Sequence, residues 1–249
     1  MNSTLKSQLE HRTIRKFTDE KIDKEIMDNL FAIAVRSASG NGLYSYSMIH
    51  VKDDNKKSKI AEICNQPYVK NNSDLIIFVV DMYRNSKIAK ENGLDDVGND
   101  MDSFIQGVSD ALIAAQNMVV AAESLGIGTV YFGSILKDIK GVSEILNLPK
   151  LTFPIIGLGL GYKNHEPALK PRLPKYMQVF EDEYKKFDNY TEAIKTFDEE
   201  MNKYIDLRDT TKTVGKFTAQ VVNKLKNSLG RNRNMIDEIK SRGFDMDIV

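Results

Sequence analysis

Apolar residues recur at helical spacing over 19–35, where Ile26, Leu30, Ile33 and Ala34 follow Asp23, a residue suited to an N-cap. The small residues of SASGNG, 37–42, break that pattern. YSYSMIHV, 44–51, is aromatic and β-branched enough for a strand, and a polar helix is expected over 56–64. DLIIFVVDM, 74–82, is a continuous apolar run of strand length, the mark of a strand buried on both faces. VSDALIAAQNMVVAAESL, 108–125, is longer, rich in Ala and apolar almost all round, which describes a buried core helix. Gly126 is placed to end it. A short strand over 129–132 and a short helix over 139–146 follow. FPIIGLGL, 153–160, reads as a second buried strand whose glycines permit close backbone approach. NHEPALKPRLP, 164–174, carries three of the six prolines and must run extended. From about 182 the chain is charged, with helices expected through 204 and over 217–229. Few strands, several helices and one central buried helix predict an α+β fold, in a single domain spanning 1–249 with a helical extension from about 182. GLGLG, 157–161, lacks the spacing of a dinucleotide fingerprint and lies inside a strand, which argues against a Rossmann fold.

Charge changes the picture little. Lys plus Arg equals Asp plus Glu, 35 against 35, so no global field draws the chain to nucleic acid or an anionic membrane. The apolar runs fall short of a membrane span, and the start is polar, so a soluble cytoplasmic protein is expected. Cys64 is the single cysteine, which excludes an internal disulfide. His11, His50 and His165 show no metal-ligand spacing.

Any anion site must therefore be local. EHRTIRKF, 10–17, sets Arg12, Arg15 and Lys16 close together, and Arg12 and Arg15 share a face if this is a turn or helix start. Arginine forks suit phosphate, although solvated surface charge is the blander account. In LKPRLP, prolines stiffen an extended segment whose Lys170 and Arg172 point to one side, as an anion grip or a plain surface connector. Gln66 in NQPYV offers a carboxamide that donates and accepts. The glycine of YFGSI, 131–135, lets a planar ligand lie against backbone, or simply makes a turn.

In this order, HRTIRKFTDEKID, SASGN, NQPYV, AAQNMVVAAESLGIGTVYFGSI, LNLP, PIIGLGLGY and LKPRLP resemble the nitroreductase superfamily. The closest likeness is to its branch of NADPH-preferring, oxygen-insensitive nitroreductases and flavin reductases. The resemblance covers roughly 9–184. It implies a tightly bound FMN and an FMN-binding sandwich with a central antiparallel sheet and long core helices, intertwined as a homodimer. It also implies residue roles. His11, Arg12 and Thr13 match a phosphate-binding start, and Arg15 the arginine at the flavin pyrimidine edge. Ser39 matches a loop serine, and Gln66 the glutamine that reads the ring edge. Tyr131, Phe132, Gly133 and Ser134 match a segment beside the ring, and Lys170 and Arg172 the Lys-Pro-Arg pair at the flavin. Fixed cations at Arg15 and Lys170 would stabilise negative charge on the reduced ring, so no protein nucleophile or base is needed.

Departures accompany the likeness. Ser134 stands where a second glycine is usual, and SGNGLY replaces a Ser-rich stretch at the pocket mouth. Arg208, Lys212, Arg231 and Arg233 are the candidates for the 2′-phosphate of NADPH, so NADH use stays open. His50 reads as a satisfied core histidine, Cys64 as a small partly buried side chain with a place near the flavin as the alternative, and the acidic 95–102 stretch as a mobile, solvated segment or a lid near the site. The implied activity is ping-pong reduction of small planar oxidants, nitroaromatics and quinones, by NADPH or NADH through bound FMN. The alternatives are an FMN reductase supplying free reduced flavin to a partner, and a flavin-binding module with little turnover.

Overall fold

A computed structural model describes residues 1–206, 209–228 and 234–245. The chain falls into two compact units: Met1–Glu166 with the described residues from Asn234 on, and a second beginning at Pro167.

The first unit is built on four antiparallel strands: β1 (Tyr46–Val51), β2 (Asp74–Asp81), β3 (Ile127–Phe132) and β4 (Thr152–Tyr162), in the order β1-β2-β4-β3. The two apolar runs are β2 and β4, side by side at the centre. Alternation along β2 sorts its side chains. Ile76 and Phe78 pack with Leu158 and Leu160 against helices α2 (Lys24–Val35) and α5 (Met101–Ser124). Leu75, Ile77 and Val79 pack on the opposite face with α3 (Asp54–Cys64) and α6 (Ile139–Ile145). A bulge between Phe78 and Val79 shifts the register at Pro154, which cannot donate a ladder bond. Beyond it Val80 joins a third cluster with Phe104, Phe153, Ile239 and Phe244. Ile239 lies on α10 (Met235–Ser241), and Arg242 after it holds the unit, donating to the carbonyls of Leu148 (2.8 Å) and Thr152 (3.1 Å).

Helix α5 begins at Met101, earlier than the hydrophobic pattern indicates, because Asp100 caps it through the Ser103 N–H at 2.8 Å. The acidic stretch is thus partly a helix start. Among the described residues α5 is the one helix long and apolar enough to cross a membrane, contrary to the sequence reading. Its Ala114, Ala115 and Met118 face is fully buried on the sheet, however, which makes it a core helix. Its other face is not buried in the chain: Ile105, Leu112 and Ile113 are exposed. Three of the described helices are not expected from the sequence: α1 (Ser3–Leu9), which buries no side chain, α4 (Tyr83–Glu91) and α10. Helix α2 starts at Lys24 rather than 19, and Asp23 precedes it without a side-chain cap bond.

His50 is the satisfied histidine expected: Nε2 lies 2.7 Å from Asp74 Oδ1, and its ring meets Phe31. Ser73 donates to the other Asp74 oxygen at 2.6 Å. Burial alone would raise the Asp74 carboxyl, but the bonds from His50 and Ser73 outweigh it and hold it below the usual range. A lowered folded-state value gives stability that is present above the unfolded-state value and lost as pH falls through the folded one. Asp74→Asn is therefore expected to cost about 1–3 kcal/mol in urea unfolding at pH 7 and less at pH 3. An equal cost at both values would contradict this.

In the second unit, α7 (Tyr190–Ala193), α8 (Lys195–Lys203) and α9 (Phe217–Ser228) follow a proline-rich start without helix or strand. Residues 182–189 are not helical as expected; there Phe187 packs with Tyr176 and Tyr190 instead. Asp198 ties α8 to α9, accepting the Thr218 N–H at 2.9 Å.

Candidate active site

Residues 11–17 are extended, not a turn or helix start. Ile14 N donates to Thr129 O at 2.9 Å, Thr13 bridges Thr129, and Phe17 bridges Lys163. Three-residue spacing therefore does not put Arg12 and Arg15 on one face. Ile14 and Phe17 are buried and anchor the segment along the sheet. That leaves the polar side chains between them to define the site.

Arg12 lines a small polar cavity of about 150 Å³ with Ser7, Glu10, His11, Glu123 and Lys163. Its Nη1 donates to Glu10 O at 2.9 Å and lies 3.5 Å from Glu166. Its Nε is buried and has no hydrogen-bond partner among the described residues. A buried donor of this kind requires an acceptor. His11 Nδ1 is 2.7 Å from Glu123 Oε1, which also accepts from Thr129 Oγ1 at 2.6 Å. Any ligand bond from His11 must therefore come from Nε2. Thr13 and Arg15 are half-buried on the same segment.

Gln66 is placed by the end of α3, where Asn65 turns left-handed (φ 51°) and Gln66 N bonds Ala61 O at 3.1 Å. Ser134 Oγ donates to Gln66 Oε1 at 2.9 Å. The residue that departs from the family glycine thus occupies the carboxamide oxygen, and Gln66 presents its NH2 as a donor. Gly133 does not need glycine for its backbone angles, and a Cβ there would meet no atom within 4 Å. The space is open for a flat ligand against the chain. Phe132 is a core side chain, 1 % exposed, and offers only backbone. Burial, then the charge of Glu123, pushes the Tyr131 phenol upward, so it stays neutral. It donates to Gln116 Oε1 at 3.3 Å.

Gln116 also lines an open groove of about 430 Å³, with Ser37 and Ala38 after α2 and Ile113, Asn117 and Val120 on α5. That volume suits a drug-sized or cofactor-sized ligand. Ser39 follows Ala38 in the chain and is not among the lining residues; its hydroxyl is engaged, donating to Asp110 Oδ2 at 3.0 Å and accepting from Tyr44 N at 2.8 Å. Cys64 is fully buried, and burial raises its thiol, so it is an inert core side chain.

Lys170, half-buried, and Arg172, exposed, lie in the second unit, on its stretch without helix or strand. Lys212 is exposed and paired with Asp209 at 3.2 Å. Arg208, Arg231 and Arg233 lie outside the described residues. The partners that sequence reasoning missed are Glu123, Gln116 and Asp110. All three sit on α5, where only their polarity within an apolar helix marked them.

Comparison with known proteins gives the family. The Nitroreductase family model matches residues 9–162, and the model of the nitroreductase family C-terminal domain matches 170–247. The chain belongs to the nitroreductase family. It is 33 % identical to the FMN reductase (NADPH) of Bacillus subtilis, over 98 % of this chain and 99 % of that one. It superposes on a nitroreductase from B. subtilis with a TM-score of 0.89, at 32 % identity over 97 % and 98 % of the two chains. It superposes on the NADPH:FMN oxidoreductase of Vibrio harveyi complexed with NAD+ with a TM-score of 0.86, at 30 % identity over 98 % and 99 %.

Proposed function

We propose that this chain is an FMN-dependent NAD(P)H oxidoreductase that transfers two electrons to small planar acceptors such as quinones and nitroaromatics. The observation that carries the reading is the Arg12 Nε beside His11, buried and without a hydrogen-bond partner among the described residues, at the start of the family match. A phosphate oxygen supplies the acceptor this donor lacks. The open face at Gly133 supports the same reading, because it leaves a flat ring access to backbone. FMN would supply the two-electron redox chemistry that links the nicotinamide to the acceptor.

The chain's own residues bind and bias. Arg12 and His11 Nε2 hold the phosphate, with the Thr13 hydroxyl as a further donor. The Gln66 NH2 fixes the ring edge, and Ser134 keeps that carboxamide from turning over. Arg15 brings positive charge to the ring, which favours the electron-rich form, and Lys170 is the candidate for the same role on the second unit. The Tyr131 phenol, neutral and with its proton given to Gln116, offers the site only its oxygen as an acceptor, without adding charge. NADPH is the donor named in the B. subtilis relative. Recognition of its 2′-phosphate is assigned to Arg208, Lys212 and Arg233, of which Lys212 is exposed and pairs with Asp209 at the surface.

The working form is a homodimer in the cytoplasm. Ile105, Leu112 and Ile113 on the outer face of α5 are apolar and exposed, and Ile113 lines the groove, so a second copy covering this face also closes the site. Free FMN as the acceptor is a second reading, favoured by the FMN reductase relative. Steady-state kinetics over a grid of NADPH and quinone concentrations are expected to give parallel double-reciprocal lines, and sedimentation is expected to give a dimer. Intersecting lines would remove the alternating use of one pocket, and a monomer would remove the shared site. A kcat/KM for free FMN well above that for any quinone would select the second reading.

A further inference from the structure

The Ser39–Ser45 loop converges on one carboxylate. Asp110, in the middle of α5 and 1 % exposed, accepts from Ser39 Oγ (3.0 Å), Gly40 N (2.9 Å) and Ser45 N (3.0 Å). Burying a carboxylate is costly unless its oxygens are bonded, and this one is bonded three times. The loop it closes has three left-handed residues within four positions: Asn41 (φ 52°), Gly42 (φ 68°) and Tyr44 (φ 49°). Glycine and asparagine adopt that region readily, but a bulky residue such as tyrosine does so only under constraint. Such strain persists where surrounding bonds over-determine the backbone.

Those bonds are present. Inside, Asp110 holds both ends of the loop, and Ser39 Oγ takes the Tyr44 N–H at 2.8 Å. Outside, Gln106 donates to Gly40 O at 2.9 Å and accepts from Asn41 at 3.0 Å. From α4, Asn85 donates to Leu43 O at 3.0 Å. The outcome is a rigid, strained segment directly after Ser37 and Ala38, which line the groove. Leu43 and Tyr44, both about half exposed, form its tip.

We propose that Asp110 is a positioning residue for cofactor binding: by holding the strained Ser39–Ser45 loop in one shape it fixes Ser37 and Ala38, which precede the loop and line the groove. This rests on the reading that the chain binds FMN in that groove. Ser39 then acts as a link between Asp110 and Tyr44 N rather than as a phosphate donor, since its proton already goes to a carboxylate.

The test uses the full-length protein freed of flavin and titrated with FMN, following the quenching of flavin fluorescence. Asp110→Asn keeps the side-chain shape but sets an NH2 against a loop donor. The FMN Kd is expected to rise about tenfold or more, with circular dichroism unchanged. Adding Tyr44→Gly, which removes the left-handed strain, is expected to recover part of that loss. A purely structural role predicts a lower melting temperature and no rescue of Kd. Folded Asp110→Asn that binds FMN with the wild-type Kd would overturn the proposal. If Asp110→Asn does not fold, Gln106→Ala loosens the same loop from its outer side. A severalfold rise in Kd would then support the proposal, and a wild-type Kd would overturn it. The wild-type titration separates the two levels. A wild type that takes up no FMN refutes the underlying reading, whereas normal wild-type binding with normal variant binding refutes Asp110 alone.

Discussion

Arg12→Ala is expected to weaken FMN binding about ten- to hundredfold, equivalent to roughly 1.5–3 kcal/mol for a charge-assisted bond. The argument starts from the segment's geometry. Ile14 and Phe17 fix residues 11–17 along the sheet, so Arg12 leaves the backbone at a set place. Its guanidinium is only partly engaged, with Glu10 O and the exposed Glu166 on one side and a buried, unpartnered Nε on the other. Without ligand that Nε costs desolvation, and a phosphate oxygen relieves it. Arg12→Lys keeps the charge but not the fork, and is expected to recover only part of the loss. Flavin content after dialysis and a fluorescence titration measure both. Full retention of flavin in Arg12→Ala would remove Arg12 from the phosphate site.

Gly107→Ala is expected to destabilise the fold by about 1–3 kcal/mol, the usual range for overpacking a tight core. A helix interior normally gains up to about 1 kcal/mol from this substitution, so the predicted sign runs against propensity. A Cβ at 107 would stand 2.6 Å from Val80 Cγ1 and 2.7 Å from the Ser45 carbonyl oxygen. Neither neighbour moves cheaply. Val80 is fully buried in the sheet, and the Ser45 carbonyl accepts the Asp81 N–H at 2.9 Å. Gly107 lies one turn before Asp110, so displacement of α5 also carries Asp110 away from its loop. The urea midpoint is expected to fall, and FMN affinity with it. An unchanged or raised midpoint would contradict the packing account.

The sequence made the centre of the fold legible because burial there is uniform. DLIIFVVDM and FPIIGLGL are apolar without a break, since both faces of β2 and β4 are covered. Helix α5 was legible in its apolar part and not in its first turn, which rests on a single cap at Asp100. Helices α1 and α10 were not legible: α1 buries nothing, and α10 is held by Arg242 reaching backbone carbonyls far away in the sequence. Motif order named Arg12, Gln66 and Gly133, whereas residue spacing gave the first cluster the wrong local shape. Helical spacing of Arg12 and Arg15 has no meaning in a segment that pairs with Thr129 and Lys163. The buried partners Asp110, Glu123 and Gln116 were invisible for a different reason. A polar residue in an apolar helix shows that some bond exists, and only the fold shows with what.

The measurement that bears most directly on the central claim is the visible spectrum of the purified protein, supplemented with FMN, under anaerobic NADPH and then NADH in a stopped-flow cell. The account predicts a yellow protein that retains FMN through gel filtration and bleaches within one turnover time, faster with NADPH than with NADH. A protein that stays colourless after incubation with FMN would contradict the site, and a yellow protein that NADPH and NADH leave unbleached would contradict the oxidoreductase.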